Sequence, residues 1–467
     1  MIMRKWLFVC LTVLFESIEA FQVIKKTQLL LVSRTKQKLF AQNDEEVLSP
    51  LVLSLTPSKT IEIHALTMQL REAGEQVISL SVGEPDFMPD ATVIEALRDA
   101  AIKGETRYTA VTGTDALRTK IAEYLTEQKG TVYKASDIVV SNGAKQAVYE
   151  SILALCGPGD EVLIPAPYWV SYPEIVKMSG ATPIFIETTL ESGYKLQPAD
   201  VKAALTPKTK MLILCNPCNP TGACLDADEL RCIAKELEGT RCWVLADEIY
   251  EQLYYASFQK NQQDVVDTSS TKKETHTSFA AISPDAYART VTINGFSKAY
   301  AMTGFRLGYL AAPAPVAAAC GKIQGQITSC ASSLAQAAAI AALNLPQDAL
   351  DPQVAEFRRR RDYVLTRLEK IASLTGTLEC PPAPKGAFYL LPDISAAFGA
   401  TVGNRHISDS TTFCAALLEA RKLALVPGDA FGAPSAIRIS YAADQTTLEK
   451  AMDALESFLT SDLVFSS

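Results

Sequence analysis

Lys298 and Arg306 lie eight positions apart in the run Asn294–Gly308, which reads N-G-F-S-K-A-Y-A-M-T-G-F-R-L-G. Burial in a tight Gly/Ser-bounded turn lowers the pKa of a lysine, and this makes a Schiff base with a carbonyl compound feasible. A nearby arginine can bind a phosphate through two parallel hydrogen bonds. The pair therefore indicates a lysine-bound pyridoxal phosphate, although the same spacing also arises by chance.

Two other segments suit a phosphate and a flat ring. Gly143, Ala144 and Lys145 follow a predicted strand and open a helix, where free backbone N–H groups and the helix dipole attract anions. A plain turn is the alternative. Trp169 lies in Pro165–Pro173, and the three prolines of this run are expected to keep it extended and out of any helix. Its ring can stack on a cofactor or pack in the core.

Polar residues follow two more predicted strands. Asn219 lies in the rigid turn N-P-C-N-P-T-G, at the carboxyl end of a strand, where α/β sheets bind ligands. Asp247 follows the apolar run Trp243–Ala246, and if buried it needs a cation, which a protonated pyridine nitrogen would supply. An exposed carboxylate is the alternative. Tyr250 lies three residues further on and can hydrogen-bond a ring hydroxyl.

Arg438 is the single charged residue of the apolar segment A-I-R-I-S. A buried guanidinium requires an anion, and its planar fork matches a carboxylate through two hydrogen bonds. The anion is either the α-carboxylate of a substrate or a structural ion-pair partner.

Bulk composition narrows the function classes. The chain has 467 residues, 48% of them hydrophobic and 21% charged, which is typical of a globular protein with two domains or one large domain and a smaller lobe. A net charge of −8 without a basic stripe argues against nucleic-acid binding. With three histidines, neither histidine acid–base chemistry nor a metal site is expected. The C-x-x-C pair Cys215 and Cys218 stands alone, which favours reduced structural thiols.

The N-terminus has the pattern of a targeting segment. Residues 1–20 carry Arg4 and Lys5, then an apolar run too short to span a bilayer stably, and they are predicted to be a signal peptide. Residues 21–45 begin with an acid-free basic stretch typical of a transit peptide. The two together predict import into a complex plastid, with secretion as the alternative and no membrane association of the mature protein.

Apolar runs alternate with helical patterns, which predicts a parallel sheet with both faces covered. The strand candidates are Asp137–Val140, Glu161–Ile164, Thr182–Ile186, Met211–Leu214, Trp243–Ala246 and Thr290–Ile293. Beyond about residue 345 a smaller α+β lobe is expected. Leu48–Ser58 is predicted to be an extended arm, and Gln259–Thr277, polar and lysine-rich, is predicted to be a surface insertion.

Seven segments in this order resemble the class I aminotransferases of pyridoxal phosphate fold type I, over residues 48–460. More narrowly, the chain is similar to the prokaryotic-type aspartate aminotransferases of plastids, whose plant members also transaminate prephenate. The segments are S-V-G-E-P-D-F, R-Y-T, N-G-A-K-Q, P-Y-W-V-S-Y-P, N-P-C-N-P-T-G, A-D-E-I-Y and the lysine run.

The resemblance implies an α/β fold with a large domain, in which helices flank a mostly parallel seven-stranded sheet, and a smaller α+β domain. The implied divisions are an N-terminal arm with part of the small domain over 46–90, the large cofactor-binding domain over 91–345 and the small domain over 346–467.

The resemblance also implies a role for each motif residue. Lys298 would hold the cofactor and then move a proton between the substrate Cα and C4′ of the cofactor. Asp247 would pair with the pyridine nitrogen. The other cofactor contacts would come from Tyr250, Asn219, Trp169, Ala144, Lys145, Arg306 and the partner subunit's Tyr108. The substrate would contact Gly83, Trp169, Asn219, Arg438, Thr109 and Lys145.

The implied activity is a ping-pong transfer of an amino group from glutamate or aspartate to oxaloacetate, 2-oxoglutarate or prephenate. A homodimer follows from the role of Tyr108 in trans. The alternatives are another class I transaminase of aromatic or kynurenine type, a pyridoxal phosphate lyase, and a non-catalytic relative. Cys218 and the insertion Gln259–Thr277 depart from the family pattern.

Overall fold

The computed structural model describes residues 47–57, 59–255 and 275–465, and the chain divides into two units between Thr56 and Pro57. In the first unit the described residues hold the short helix Pro50–Ser54, capped by Ser49, whose side chain accepts from the Val52 amide. The prediction of an extended arm is therefore wrong here, because Pro50 fits the first turn of a helix, where no amide donor is needed. The predicted presequence 1–45 lies outside the described residues.

A seven-stranded sheet forms the centre of the second unit. All neighbouring strands pair in parallel except Gly308–Ala311, which is antiparallel to both of its neighbours. Six strands match the predicted apolar runs, so the mostly parallel sheet is confirmed, whereas Gly308–Ala311 was not predicted. In spatial order the strands are Ile138–Ser141, Gly308–Ala311, Thr290–Gly295, Trp243–Asp247, Thr209–Cys215, Glu161–Ala166 and Thr182–Glu187.

The sheet is covered on both faces, as the alternation of its side chains shows. In the strand Thr209–Cys215, Met211 and Ile213 pack into one apolar cluster, while Leu212 and Leu214 pack into another. Successive side chains of a strand point to opposite faces, so each cluster fills one side. Every residue of the strand Thr290–Gly295 is buried, as expected for a central strand of a parallel sheet.

Helices flank the seven-stranded sheet and account for much of the rest of the unit. The helix Tyr172–Met178 begins inside the run that was predicted to stay out of any helix. Pro173 occupies its first turn, where a proline forfeits no hydrogen bond, so that prediction is wrong at this end. The helices are Lys59–Glu72, Ala91–Ile102, Asp115–Lys129, Ala144–Leu155, Tyr172–Met178, Pro198–Ala204, Ala227–Leu237, Pro284–Arg289, Ala314–Ile327, Ser333–Leu343, Asp351–Thr375, Ser410–Arg421 and Gln445–Ser457.

A separate apolar cluster fills the C-terminal part of the chain. It lies around an antiparallel sheet in the order Val426–Pro427, Ile437–Ser440, Tyr389–Leu390. The early strand Ile78–Ser79 pairs in parallel with Leu423–Ala424, and Leu80 joins the cluster. A small hairpin pairs Thr401–Val402 with Arg405–His406. The predicted boundaries at 90/91 and 345/346 stay predictions.

Residues 256–274, most of the predicted insertion, lie outside the described residues. His276, near its end, is only 5% exposed, so the predicted surface position is wrong for this residue. In the described ranges, no helix combines the length and apolarity needed to cross a bilayer. Within the same ranges, no group of three or more His, Cys, Asp or Glu residues is arranged to hold a metal ion.

Candidate active site

A cavity of about 410 Å³ lies at the carboxyl ends of the parallel strands. The cavity brings together ten of the twelve residues predicted for the site, from segments up to several hundred positions apart. These ten are Gly83, Ala144, Lys145, Trp169, Asn219, Asp247, Tyr250, Lys298, Arg306 and Arg438.

Lys298 lies just after the strand Thr290–Gly295, and its Nζ donates to the Gly83 carbonyl at 2.5 Å. Burial lowers the pKa of Lys298 to about 8, and the positive charge of Arg438 acts in the same direction. An amine with such a pKa is substantially neutral near pH 8, and the neutral form is the nucleophile and proton acceptor.

Asp247 ends the strand Trp243–Asp247 and is 5% exposed. Its Oδ2 accepts from the Tyr172 hydroxyl at 2.6 Å, and its Oδ1 accepts from the Ile249 amide at 3.3 Å. Burial raises the pKa of this carboxyl, whereas the two hydrogen bonds and the Lys298 charge oppose the rise. A cationic ring nitrogen placed against Asp247 would therefore be bound strongly.

Arg438 is buried in the strand Ile437–Ser440. Its Nη2 donates to the Ser81 carbonyl at 2.6 Å, and its Nη1 donates to Oδ1 of Asn219 at 3.1 Å. Among the described residues, Nε has no hydrogen-bond partner. Burial lowers the pKa of Arg438. An ion-pair partner for Arg438 is absent from the described part of the chain, which leaves the guanidinium able to bind a carboxylate.

The helix Ala144–Leu155 begins at the cavity with Gly143 as its N-cap, at φ 85°. The positive φ favours glycine at this position, and a Cβ on Gly143 would also displace Nη2 of Arg306. Lys145 Nζ lies 5.0 Å from the ring centroid of Trp169. Burial and the neighbouring Arg306 lower the pKa of Lys145. Two cations at a helix N-terminus form a site for a phosphate.

Tyr108 and Thr109 are the two predicted residues that do not line the cavity. The Tyr108 side chain is 91% exposed. The Thr109 hydroxyl donates to the Ala110 carbonyl and accepts from Nε2 of Gln336, both at 3.1 Å. The role predicted for Tyr108 concerns a partner subunit and stays a prediction, as does the role of Thr109.

Two tyrosines of the cavity were not predicted. Tyr172 lies in the quoted segment P-Y-W-V-S-Y-P, but its bond to Asp247 joins residues that are 75 positions apart. Tyr389 belongs to an apolar strand, where an aromatic residue is indistinguishable from core. Its hydroxyl lies 2.8 Å from that of Tyr250. The same cavity wall contains Ser81, Glu84, Cys215, Ser297 and Thr303.

These groups fit pyridoxal phosphate. Lys145 and Arg306 match its phosphate, and buried Asp247 matches a protonated pyridine nitrogen. Trp169 presents a ring to the cavity, and Lys298 presents an amine of lowered pKa. The carboxylate-binding capacity of Arg438 is additional to what the cofactor needs, so the site has a place for an amino-acid substrate as well.

Comparisons with known proteins agree with the geometry. The family described as "Aminotransferase class I and II" matches residues 75–455. A Petunia hybrida protein named bifunctional aspartate aminotransferase and glutamate/aspartate-prephenate aminotransferase is 45% identical over 417 residues, covering 88% of this chain and 82% of its own. An aspartate/prephenate aminotransferase of Cereibacter sphaeroides is 40% identical and covers 88% and 98%.

Solved structures show the same fold. The aspartate aminotransferase of Rhizobium meliloti superposes with a TM-score of 0.81 at 36% identity, covering 89% of this chain and 99% of its own. The Thermus thermophilus aspartate aminotransferase with maleate gives a TM-score of 0.77 at 34% identity, covering 88% and 98%. The chain therefore belongs to the class I and II aminotransferases, and it is a pyridoxal phosphate-dependent enzyme.

Proposed function

We propose that this enzyme moves an amino group between glutamate or aspartate and a 2-oxo acid, with oxaloacetate, 2-oxoglutarate and prephenate as acceptors. The observation that carries the proposal is Arg438, a buried guanidinium whose Nε has no partner among the described residues. Lys145 provides a second cation in the same cavity. Aspartate, glutamate and prephenate all carry a second carboxylate, so two cations suit them.

The residues of the cavity have separate tasks in this reaction. Arg438 and the backbone at Gly83 hold the α-carboxylate of the substrate, which orients its Cα–H bond. Lys298, as a neutral amine, takes the proton from the substrate Cα and would return it to C4′ of the cofactor. Bound pyridoxal phosphate supplies an electron sink for the carbon that loses the proton.

The remaining residues hold the cofactor. Asp247 keeps the pyridine nitrogen protonated, which maintains the electron sink. Tyr250 and Asn219 bind the ring oxygen, and Trp169 covers the ring. Ala144, Lys145 and Arg306 bind the phosphate.

Prephenate is proposed as an acceptor on the strength of similarity to the Petunia and Cereibacter proteins, whose names include prephenate aminotransferase activity. Thr109 and Lys145 are the two residues proposed to favour it. Thr109 lies outside the cavity of a single subunit, so its proposed role requires the neighbouring subunit.

A homodimer with shared active sites is proposed as the working form. The proposal rests on the family resemblance, and the 91% exposure of Tyr108 leaves its side chain accessible to a second subunit. Size-exclusion chromatography with light scattering tests it. A Tyr108→Phe variant with unchanged cofactor affinity would count against the shared site.

Plastid import is proposed from residues 1–45, with secretion as the alternative. A fluorescent reporter fused behind these residues in an alga with a complex plastid should accumulate inside the plastid. Reporter found in the medium would favour secretion. A fusion of residues 21–45 alone should stay in the cytosol, because it lacks the signal for the first membrane.

The activity is tested on the purified mature protein. With pyridoxal phosphate it should show a visible absorption band that glutamate bleaches, and Lys298→Ala should abolish turnover. A protein that stays colourless with added cofactor would refute the proposal. In a panel of 2-oxo acids, Lys145→Ala should reduce turnover of dicarboxylic acceptors most, with Lys202→Ala, an exposed lysine, as the control.

A further inference from the structure

Tyr389 contacts both Tyr250 and Arg438, two residues to which the proposed function gives different tasks. Its hydroxyl is 2.8 Å from the Tyr250 hydroxyl, and the centroid of its ring is 4.6 Å from Cζ of Arg438. Tyr250 is the proposed contact of the cofactor ring oxygen, and Arg438 is the proposed contact of the substrate carboxylate. Tyr389 is 1% exposed and lines the cavity.

The backbone before Tyr389 is held in an unusual conformation. Ala387 is fully buried at φ 56°, in the left-handed region that residues other than glycine rarely adopt. Its amide donates to the Leu253 carbonyl at 3.0 Å, and the Phe388 carbonyl accepts from the Tyr441 amide at 3.0 Å. Contacts from two parts of the chain therefore impose this turn, which fixes where the Tyr389 strand enters the cavity.

The surroundings also fix the Tyr389 side chain. Its hydroxyl is packed so closely against Gly83 that a Cβ there would collide with it. The Tyr250 ring meets the Tyr389 ring edge to face, with centroids 5.8 Å apart. On its other side, the Arg438 guanidinium lies between Tyr389 and Phe431, whose centroid is 4.9 Å away. A side chain held this firmly can position both of its neighbours.

We propose that Tyr389 is a positioning residue that acts on the cofactor through Tyr250 and on the substrate through Arg438. This inference rests on the proposed function. Its hydroxyl donates to the Tyr250 oxygen, which makes the Tyr250 O–H a stronger donor to the ring oxygen. Its ring face seats the Arg438 guanidinium by a cation–π contact.

The two halves of the proposal predict different effects. A stronger hydrogen bond to the anionic ring oxygen stabilises the deprotonated form of the lysine-bound cofactor. It therefore lowers the pKa of the nitrogen that joins the cofactor to Lys298. Loss of the Tyr389 hydroxyl should therefore raise the pH midpoint of the visible absorption change, by about half a unit to one unit. Loss of the ring should weaken the binding of a dicarboxylate, by roughly fivefold to tenfold.

Two variants of the holoenzyme separate these effects. Tyr389→Phe keeps the ring, so it should shift the pH midpoint and leave the Kd of maleate within about twofold. Tyr389→Leu should shift the midpoint and also weaken maleate. Tyr363→Phe is the control, since its hydroxyl, which accepts from Nη1 of Arg367 at 2.9 Å, lies outside the cavity.

An unchanged midpoint in Tyr389→Phe, alongside a shifted midpoint in Tyr250→Phe, would overturn the inference. If Tyr389→Leu does not fold, Tyr389→Phe still decides the part of the inference that concerns Tyr250, and Tyr389→Met, which keeps much of the volume without an aromatic face, takes over the maleate measurement. Turnover of aspartate by the unaltered enzyme tests the proposed function separately. An inactive unaltered enzyme and an unresponsive Tyr389→Phe are therefore distinct failures.

Discussion

The Tyr172 hydroxyl donates a 2.6 Å hydrogen bond to Oδ2 of Asp247, and both side chains are buried. Tyr172 is the second partner of a carboxylate that also accepts from the Ile249 amide. The tyrosine opposes the rise that burial causes in the pKa of Asp247. It therefore helps to keep Asp247 ionised, which is the form that would hold a protonated ring nitrogen.

Replacing Tyr172 by phenylalanine should weaken cofactor binding and turnover, each by roughly tenfold to a hundredfold, because a hydrogen bond to a charged group is worth about 1.5–3 kcal/mol. Cofactor affinity can be measured by titrating the cofactor-free protein with pyridoxal phosphate. Tyr287→Phe is the control, since its hydroxyl donates to the Val132 carbonyl at 2.6 Å, away from the cavity. Equal losses in the two variants would contradict a specific role for Tyr172.

The rate at which cofactor-free protein takes up pyridoxal phosphate should rise with pH around a midpoint near 8. The pKa of Lys298 is lowered to about 8, and only the neutral amine reacts with a carbonyl. Stopped-flow absorbance between pH 6 and 9.5 measures the rate. Arg438→Gln should move the midpoint upward, because the Arg438 charge contributes to the low pKa. A rate that is still rising steeply at pH 9.5 in the unaltered protein, with no midpoint near 8, would show that Lys298 is solvated.

Arg438→Lys should raise the KM for aspartate by roughly 100-fold and change kcat less. Lysine keeps the charge but loses the planar fork that binds a carboxylate with two hydrogen bonds. Steady-state kinetics with aspartate and 2-oxoglutarate measure both constants. Arg289→Lys is a matched control, because Arg289 pairs with Asp285 outside the cavity. A KM within threefold of the unaltered enzyme would exclude Arg438 as the carboxylate contact.

Glu248 should make stability fall as the pH rises towards 8. Burial raises the pKa of this carboxyl to about 8, so the folded protein binds a proton that the unfolded chain releases near pH 4.5. The stabilisation is complete below about pH 4.5 and is lost as the pH rises through 8, with a slope of about 1.4 kcal/mol per pH unit.

Glu248→Gln should remove that pH dependence, because an amide does not titrate. The fold should be retained, since the amide oxygen can still accept from Ser278 Oγ and the Phe279 amide, as Oε1 does now at 2.8 and 3.0 Å. Thermal unfolding between pH 5.5 and 8.5 compares the two proteins. If the unfolding temperatures of the two proteins depended on pH in the same way, Glu248 would be already ionised in the folded enzyme.

Much of the fold was predictable because the spacing of apolar residues and the capping residues at the ends of helices agreed with the observed burial. The apolar run Met211–Leu214 lies within the observed strand Thr209–Cys215, and Asp226 caps the helix Ala227–Leu237 that follows it. The strand Gly308–Ala311 was missed because it begins at the last residue of the lysine run, whose residues suggested chemistry rather than a strand. Its antiparallel direction depends on pairing with Ile138–Ser141, which local sequence does not encode.

Site residues were predictable where burying the residue type costs free energy unless a partner or ligand compensates it. A charged residue in an apolar strand, such as Arg438, needs an explanation from sequence alone. Tyr389 and Tyr172 need none, because aromatic residues in apolar segments are ordinary core. Their importance comes from which hydroxyl each one meets, and those contacts span 139 and 75 positions of chain.

The pairing of Ile78–Ser79 with Leu423–Ala424 joins an early segment of the chain to a late one, and this determines when the site can be completed during synthesis. The Ser81 carbonyl accepts from Arg438 across 357 positions, and the Gly83 carbonyl accepts from Lys298 across 215. Contacts of such long range form late, because large loops must close first. A nascent chain that has not yet emerged beyond Arg438 lacks the residue proposed to bind the substrate carboxylate, so we expect competence for catalysis to arise only when nearly the whole polypeptide is available.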